Sequence, residues 1–311
     1  MGSITSVFLT ILLPVFLLIG AGWGLDRGCN LDMRTLSKLN FYLLFPAIVF
    51  VKILESSLSW ASAQQVVAFG VLHLALLFAV ARLLCWIRPL RGHCTALTMG
   101  GMFYNAGNYG LPLSALAFPG AGAGIMACVL MVQNLTSFTV GPVLLERRNA
   151  GSGLAGWGRM GLRVLRVPMV LAILAALALR MVNADVPDPV MTAIRYLGNG
   201  MIPLALVTLG AQLSKTRVVP RAPAALLAVC AVRAVISPLL AWGVVAALGL
   251  TGVPAKVCIL AGGLPVAVTV YILASEYQQD EELASQAVFW STLLSIVTMT
   301  ALLVLVRGAP A

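Results

Sequence analysis

Asparagine, glycine and proline interrupt a long apolar run of this sequence at Asn105-Ala106-Gly107-Asn108-Tyr109-Gly110-Leu111-Pro112-Leu113. Glycine adopts backbone angles that a helix does not use, and proline lacks an N–H donor and clashes with the preceding turn. An asparagine side chain competes for its own backbone groups. The stretch therefore predicts an unwound helix. Because a bilayer tolerates unwound backbone only where it is buried in protein or lines a cavity, we interpret this break as a binding site.

The composition is that of an integral membrane protein. Of 311 residues, 60% are hydrophobic and 10% are charged, and the mean hydropathy is +1.00. Apolar windows of about 20 residues recur along the chain, whereas the alternating segments of an outer-membrane barrel do not. The predicted fold class is all-α, with about ten transmembrane helices. The six cysteines form no C-x-x-C pair, so we interpret them as core residues and expect neither a disulfide nor a metal site.

Membrane topology explains the net charge of +10 better than nucleic-acid binding does. Most Lys and Arg residues fall in loops on one side of the predicted helices, and the positive-inside rule places that side in the cytoplasm. This distribution predicts a multi-pass protein of the plasma membrane with both termini extracytoplasmic. We expect membrane lipid, and no nucleic acid, among its partners.

The proline positions predict an internal repeat. Three prolines of the first half have counterparts about 155 residues later: Pro14 with Pro168, Pro46 with Pro203, and Pro112 with Pro265. The predicted division is a first five-helix repeat over residues 1–145, a polar cytoplasmic linker over 146–162, and a second five-helix repeat over 163–311. Because each repeat has an odd number of helices, the second enters the membrane from the opposite face, which gives an inverted repeat.

A second break, Gly262-Gly263-Leu264-Pro265, interrupts the ninth predicted helix at the position equivalent to the first break in the fourth. Paired breaks of this kind mark the midplane binding sites of secondary transporters. Half-helices starting near Leu111 and near Pro265 would direct free N–H groups into the site, and an anion is the natural ligand of such groups. The alternative is that both breaks are packing kinks.

Amide side chains in this region can donate to a carboxylate without placing a charge in the bilayer. The candidate substrate-binding residues lie at the two breaks and in the fifth helix: Asn105, Asn108, Gly110, Pro112, Asn134, Gly263 and Pro265. No nucleophile with a base and no metal cluster accompanies them, so the sequence does not predict an enzyme and implies no cofactor.

Two ionisable residues lie deep in predicted helices and are candidates for charge or proton coupling. Arg233 either compensates substrate charge or pins helices, and His73 either relays a proton or bonds to a neighbour. No Asp or Glu lies near either break. The coupling ion, H⁺ or Na⁺, therefore stays open.

The motif Asn105-x-x-x-x-Gly110-Leu111-Pro112-Leu113 resembles the N-x-x-x-x-G-[IL]-P-L signature of the auxin efflux carrier family, which includes plant PIN carriers and bacterial malate or malonate permeases. The region running from Pro265 through residues 273–277 to residues 287–289 is similar to that family's second-half motif. The resemblance implies a scaffold of helices 1, 2, 6 and 7, and a transport domain of helices 3–5 and 8–10. It also implies that broken helices 4 and 9 cross, that Asn105, Pro112, Asn134 and Pro265 contact substrate, and that an organic acid moves by an elevator mechanism.

The chain departs from the plant members in two ways. Its central loop is short, and Val270 stands where they have a second proline. Both departures favour the bacterial branch and a small carboxylate or dicarboxylate over auxin. The expected function is secondary-active or facilitative transport of such an anion. A sodium-coupled symporter of the related bile-acid type and a non-transporting membrane sensor are the alternatives.

A homodimer formed through the scaffold helices is a further expectation. Gly20, Gly24 and Gly28 recur at every fourth position of the first helix. This small-residue spacing favours close helix packing or a dimer contact.

Overall fold

The computed structural model describes residues 4–55, 59–145, 168–182, 184–216, 219 and 222–308, which are helical apart from one isolated β-bridge and short connections. The helices are α1 (Ile4–Cys29), α2 (Met33–Leu54), α3 (Trp60–Leu84), α4 (Cys94–Met102), α5 (Leu111–Ala117), α6 (Gly122–Leu145), α7 (Pro168–Met181), α8 (Asp188–Ser214), α9 (Pro223–Ala247), α10 (Gly252–Gly262), α11 (Val268–Glu276) and α12 (Glu281–Gly308). The predicted all-α membrane fold is confirmed.

Within the described ranges, seven helices are long and apolar enough to cross a membrane: α1, α2, α3, α6, α8, α9 and α12. Helices α7 and α10 are apolar but shorter. The ten-helix inverted repeat and its boundaries stay a prediction. The predicted linker, residues 146–162, lies outside the described residues.

Prolines account for the irregular turns of these helices. Four turns of π-helix occur in the described chain, at Phe8–Leu12, Asn40–Leu44, Ala106–Gly110 and Val232–Ile236. A proline stands two positions after each of them: Pro14, Pro46, Pro112 and Pro238. Proline cannot donate to the carbonyl four residues earlier and its ring clashes with it, and in all four cases that carbonyl lies inside the π turn. The wider turn relieves the clash.

One group of helices is packed backbone to backbone. Helices α1 and α8 form the most extensive pair, and α2 packs against α7 and α8. A Cβ atom added at Gly22 would collide with the carbonyl of Val207, and one added at Gly210 would collide with the carbonyl of Ile19. Glycine at both positions lets α1 and α8 approach this closely. The family resemblance assigns these four helices to a scaffold, and that assignment stays a prediction.

The second group surrounds the two broken segments. Helix α3 packs against α4, α6 and α9, while α10 packs against α6 and α9, and α12 against α9 and α10. The family resemblance assigns these helices to a transport domain, which likewise stays a prediction. The two groups meet where α8 packs against Ala106–Gly110 of the first break, where α2 packs against α6, and where α1 packs against α12. Residues of α2 thus lie beside the breaks.

One prediction about the cysteines was wrong. Cys85 and Cys94 are paired as a disulfide, with Cα atoms 5.4 Å apart. The intervening 3₁₀ turn, Arg88–His93, returns the chain on itself and brings together two residues whose spacing matches no cysteine motif. The other cysteines are free.

The small-residue stripe on α1 faces open space. No atom lies within 4 Å of a Cβ placed at Gly20, Gly24 or Gly28. The stripe is therefore not used in packing among the described residues of one chain, and the homodimer stays a prediction.

Candidate functional site

The two breaks are joined to each other by backbone hydrogen bonds. The N–H of Asn105 donates to the carbonyl of Pro265 over 2.8 Å, and the N–H of Ala267 donates to the carbonyl of Phe103 over 2.9 Å. The backbone N–H and C=O groups that one broken helix leaves free are thus hydrogen-bonded to those of the other. The hydrocarbon of a bilayer offers such groups no hydrogen-bond partner. We call residues 103–105 and 263–267 the junction.

The half-helices beyond the junction begin at different places from those predicted. Asn105 is the N-cap of the first, because its Oδ1 accepts from the backbone N–H of Asn108 at 3.1 Å. Helical structure therefore begins at Ala106, earlier than the predicted start near Leu111. The second half-helix, α11, begins later than Pro265, because residues up to Ala267 are held extended by the junction.

A cavity of about 30 Å³ lies against the junction. Its polar lining comes from α6, the first half-helix and α11: Asn105, Asn108, Gln133, Asn134, Ser137 and Thr269. Phe41 and Phe45 of α2 form the opposite wall. This volume holds about two water molecules and is too small for a dicarboxylate, so the site is closed in this conformation. No charged residue is among the described residues that line it.

Several amide atoms around the cavity are buried and have no hydrogen-bond partner among the residues that the structure describes. Asn105 Nδ2, Asn108 Oδ1 and Gln133 Oε1 are in this state, and the side chains are 4%, 9% and 3% exposed. Each unsatisfied group costs about 1–3 kcal/mol. Asn105 is already fixed by its cap bond, which leaves both hydrogens of its Nδ2 available to an acceptor in the cavity.

Three of the predicted site residues line the cavity: Asn105, Asn108 and Asn134. Asn134 Nδ2 has a long contact of 3.9 Å to the sulfur of Met169, a weak acceptor. Asn134 Nδ2 can therefore exchange this weak contact for a hydrogen bond to a better acceptor. The structure brings the three amides together, as the sequence predicts.

The other four predicted residues shape the junction without lining the cavity: Gly110, Pro112, Gly263 and Pro265. The N–H of Gly110 donates to the carbonyl of Asn105 at 2.8 Å, and a Cβ at Gly110 would lie 2.6 Å from the Leu264 side chain. A Cβ at Gly263 would lie 2.6 Å from the Leu302 side chain. Gly110 thus permits close packing of the two breaks, and Gly263 permits close packing of the second break against α12.

Arg233 and His73, the coupling candidates, lie behind the junction and do not line the cavity. The Arg233 guanidinium is 1% exposed and donates to backbone carbonyls of the broken helices. His73 Nε2 lies 3.1 Å from the carbonyl of Ser237, and its ring stacks on Phe69 with centroids 5.2 Å apart. These contacts are those of residues that pin helices together.

Phe41, Phe45 and Thr269 line the cavity and were not predicted. The two phenylalanines lie four positions apart, on one face of α2 just before Pro46. The sequence shows this four-residue spacing, but the spacing does not distinguish residues that line a cavity from residues that pack against a neighbouring helix. Thr269 follows the second break directly, in the first turn of α11.

Two larger clefts separate the helix groups on either side of the cavity. The basic cleft, of about 710 Å³, is lined by Arg34, Lys38 and Lys215 and by Tyr271 of α11. The apolar cleft, of about 530 Å³, lies along α2, α3, α6 and α7 and carries Lys52 and Arg180 among its lining residues.

Each cleft lies about one helical turn from the central cavity. Lys38 of the basic cleft precedes Phe41 on α2, and Met131 of the apolar cleft precedes Asn134 on α6. The three spaces therefore follow one another between the two helix groups.

Residues 158–303 match the family described as membrane transport protein. The chain is 26% identical over 311 residues to a protein of Rhizobium meliloti named "Putative malonate transporter", covering 96% of this chain and 95% of the relative. It is also 26% identical over 272 residues to an "Uncharacterized transporter" of Methanothermobacter thermautotrophicus, covering 86% of this chain and 87% of the relative. With the seven apolar helices, these matches make the chain a multi-pass membrane transport protein and not an enzyme.

Proposed function

We propose that the protein is a transporter of the bacterial branch of the auxin efflux carrier family, and that it moves a small dicarboxylate across the inner membrane. The observation that carries this proposal is Asn105, which lines the cavity at the N-cap of a half-helix and whose buried Nδ2 has no hydrogen-bond partner among the described residues. The name of the Rhizobium meliloti relative makes malonate the first substrate to test.

The chemistry of the cavity suits an anion. Helical structure begins at Ala106 and again at Val268, and both residues line the cavity. A helix N-terminus carries about half a positive charge, so two of them attract a carboxylate without an ionised side chain in the bilayer. The amides of Asn105, Asn108 and Asn134 supply directed donors for its oxygen atoms.

The arrangement of the spaces supports alternating access. The polar lining belongs to the helix group around the junction, whereas Phe41 and Phe45 belong to the group around α1 and α8. Sliding the first group past this phenyl wall would open the cavity to one cleft and then to the other. This is the elevator movement, with the scaffold and transport domain divided as predicted from the sequence.

The proposed orientation gives the clefts different roles. With both termini extracytoplasmic, the basic cleft faces the cytoplasm, where its lysine and arginine side chains raise the local concentration of anions. The apolar cleft then opens toward the other face. A homodimer would form on the scaffold side, through the open stripe on α1.

Flux measurements separate this function from its alternatives. Purified protein in proteoliposomes should exchange external radiolabelled malonate for internal malonate, and the rate should not change when Na⁺ is replaced by K⁺. A sodium-coupled symporter would lose flux in K⁺. A sensor would be stabilised by malonate in a thermal-unfolding assay without any counterflow.

Matched asparagine variants test the site within the same assay. Asn105→Ala should abolish counterflow, whereas Asn199→Ala, at an exposed position on α8, should leave it unchanged. Full flux through Asn105→Ala would refute the site assignment.

A further inference from the structure

The carbonyl oxygens of both breaks converge on one buried guanidinium. Arg233 Nε and Nη2 donate to the carbonyl of Leu264 at 3.0 and 2.7 Å, and Nη2 also donates to the carbonyl of Gly262 at 2.9 Å. Nη1 reaches the carbonyl of Gly101 at 3.3 Å. Gly101 lies in the last turn of α4, and Gly262 is the last residue of α10.

The charge of Arg233 is balanced by helix ends instead of by a carboxylate. Each hydrogen bond that it donates to a described residue ends on a backbone carbonyl. A helix C-terminus carries about half a negative charge, so the ends of α4 and α10 together offset about one positive charge. The ring of Tyr104, 4.9 Å from the guanidinium carbon, covers its face.

We propose that the carbonyls of Gly101, Gly262 and Leu264 form a cation site, and that Arg233 occupies it from within the chain. The ligand class is a monovalent cation, and the planar guanidinium fits it best because its fork of donors reaches several carbonyls at once. The protein thus carries the cation that holds its two breaks together and needs none from solution. This inference does not depend on the proposed substrate.

The cation site also fixes the donor of the anion site. Tyr104, which covers the guanidinium, directly precedes Asn105, and its carbonyl accepts from Gln133 Nε2 at 3.1 Å. Ser237 Oγ of α9 donates to the carbonyl of Gly262 at 2.6 Å and so supports the same cation site. Arg233 is therefore a positioning residue: without it, the carbonyls of Gly262 and Gly101 lose the donor that they share, and Tyr104, next to Asn105, loses its contact with the guanidinium.

A chemical-rescue experiment tests the proposal without any substrate. Arg233→Ala, purified in detergent, should unfold at a lower temperature than the unsubstituted protein, and millimolar guanidinium chloride should restore most of the loss. Equal concentrations of NaCl, KCl or urea should restore little, because only guanidinium supplies both the charge and the forked donors. Guanidinium should not raise the unfolding temperature of the unsubstituted protein, because Arg233 already occupies the cation site.

Arg195→Ala is the matched control. Arg195 is 53% exposed and pairs with Glu55 at 3.1 Å, so its removal leaves no buried cation site and guanidinium should not stabilise that variant. The proposal fails if Arg233→Ala unfolds at the temperature of the unsubstituted protein, or if guanidinium shifts all three proteins alike.

A second pair of variants keeps the test decisive if the alanine variant does not fold. Arg233→Lys keeps the charge but loses the fork, so its unfolding temperature should fall between those of the unsubstituted protein and Arg233→Gln. A glutamine variant as stable as the unsubstituted protein would overturn the role of the charge. Absence of carboxylate transport by the unsubstituted protein would refute only the proposed function, whereas a Na⁺ requirement for its stability would refute the cation site.

Discussion

The backbone N–H of Asn105 is hydrogen-bonded to the carbonyl of Pro265, although the two residues lie in opposite halves of the chain. The bond joins two broken helices at the point where each has lost its own hydrogen-bond ladder. The Asn105 side chain is oriented as well, because its Oδ1 accepts a hydrogen bond from the N–H of Asn108 and so caps the following half-helix. One residue thus links the packing of the two halves to the cavity.

The packing of the second break against α12 should be sensitive to a single methyl group. Gly263→Ala places a Cβ 2.6 Å from the Leu302 side chain and 3.0 Å from the Met299 sulfur. Because the ends of these flexible side chains can shift, we expect a loss at the lower end of the overpacking range, about 1 kcal/mol in stability. Thermal unfolding in detergent measures the loss. Gly243→Ala, with no atom within 4 Å of the new Cβ, is the control and should be neutral or slightly stabilising. Equal effects of the two substitutions would contradict the packing described for the junction.

The α1–α8 contact should tolerate no side chain at Gly210. The new Cβ in Gly210→Ala would meet the backbone carbonyl of Ile19, which cannot rotate away, so we expect a loss of about 3 kcal/mol or more, or failure to accumulate in the membrane. The comparison is Gly200→Ala on the same helix α8, where no described atom lies within 4 Å of the new Cβ. Recovery of both variants at the level of the unsubstituted protein, with the same unfolding temperature, would show that the helices lie farther apart.

Phe45 should set the size of the substrate. It lines the closed cavity and lies 3.0 Å from the Cβ position of Gly107. Phe45→Ala should enlarge the cavity, so that bulkier dicarboxylates such as phenylmalonate compete with malonate more strongly than they do in the unsubstituted protein. Phe50→Ala, on the same helix but away from the cavity lining, should leave the competition unchanged. Unaltered selectivity in Phe45→Ala would remove Phe45 from the substrate wall.

Asp32 should make a pH-dependent contribution at the start of α2. The hydroxyl of Thr35 donates to its carboxylate, and this bond, with those from the N–H groups of Arg34 and Thr35, holds the pKa of Asp32 below its ordinary value of 3.8. Because the pKa of Asp32 is lower in the folded state than in the unfolded state, the stabilisation is complete at a pH above the unfolded-state pKa. It is lost as the pH falls through the folded-state pKa. The difference in unfolding temperature between Asp32→Ala and the unsubstituted protein should therefore be constant near neutral pH and shrink below pH 3.8. A difference that grows on acidification would contradict the cap.

The sequence predicted the parts of this site that depend on local chemistry. Gly, Pro and Asn in an apolar run located both breaks, and three of the four amide side chains that line the cavity, those of Asn105, Asn108 and Asn134, were predicted from the sequence. The start of α11 was misplaced because the pairing of Ala267 with Phe103 depends on a segment far along the chain. The start at Ala106 was missed although its signal is local, an asparagine that caps the N–H three residues later.

Other features have no sequence signature. Arg233 binds backbone carbonyls, which every residue carries, so its partners could not be read from residue types. Phe41 and Phe45 look like any apolar pair on a membrane helix, and only the position of α2 against the junction makes them a cavity wall. The Cys85–Cys94 pair depends on the path of a short turn.

The central claim is that Asn105 Nδ2 donates to a bound carboxylate, and the dissociation constant of malonate, measured by titration calorimetry, tests it most directly. A hydrogen bond to a charged group contributes about 1.5–3 kcal/mol, so Asn105→Ala should weaken malonate binding about 10- to 150-fold. Asn199→Ala should bind malonate as the unsubstituted protein does. Equal affinity in Asn105→Ala and the unsubstituted protein would contradict the account.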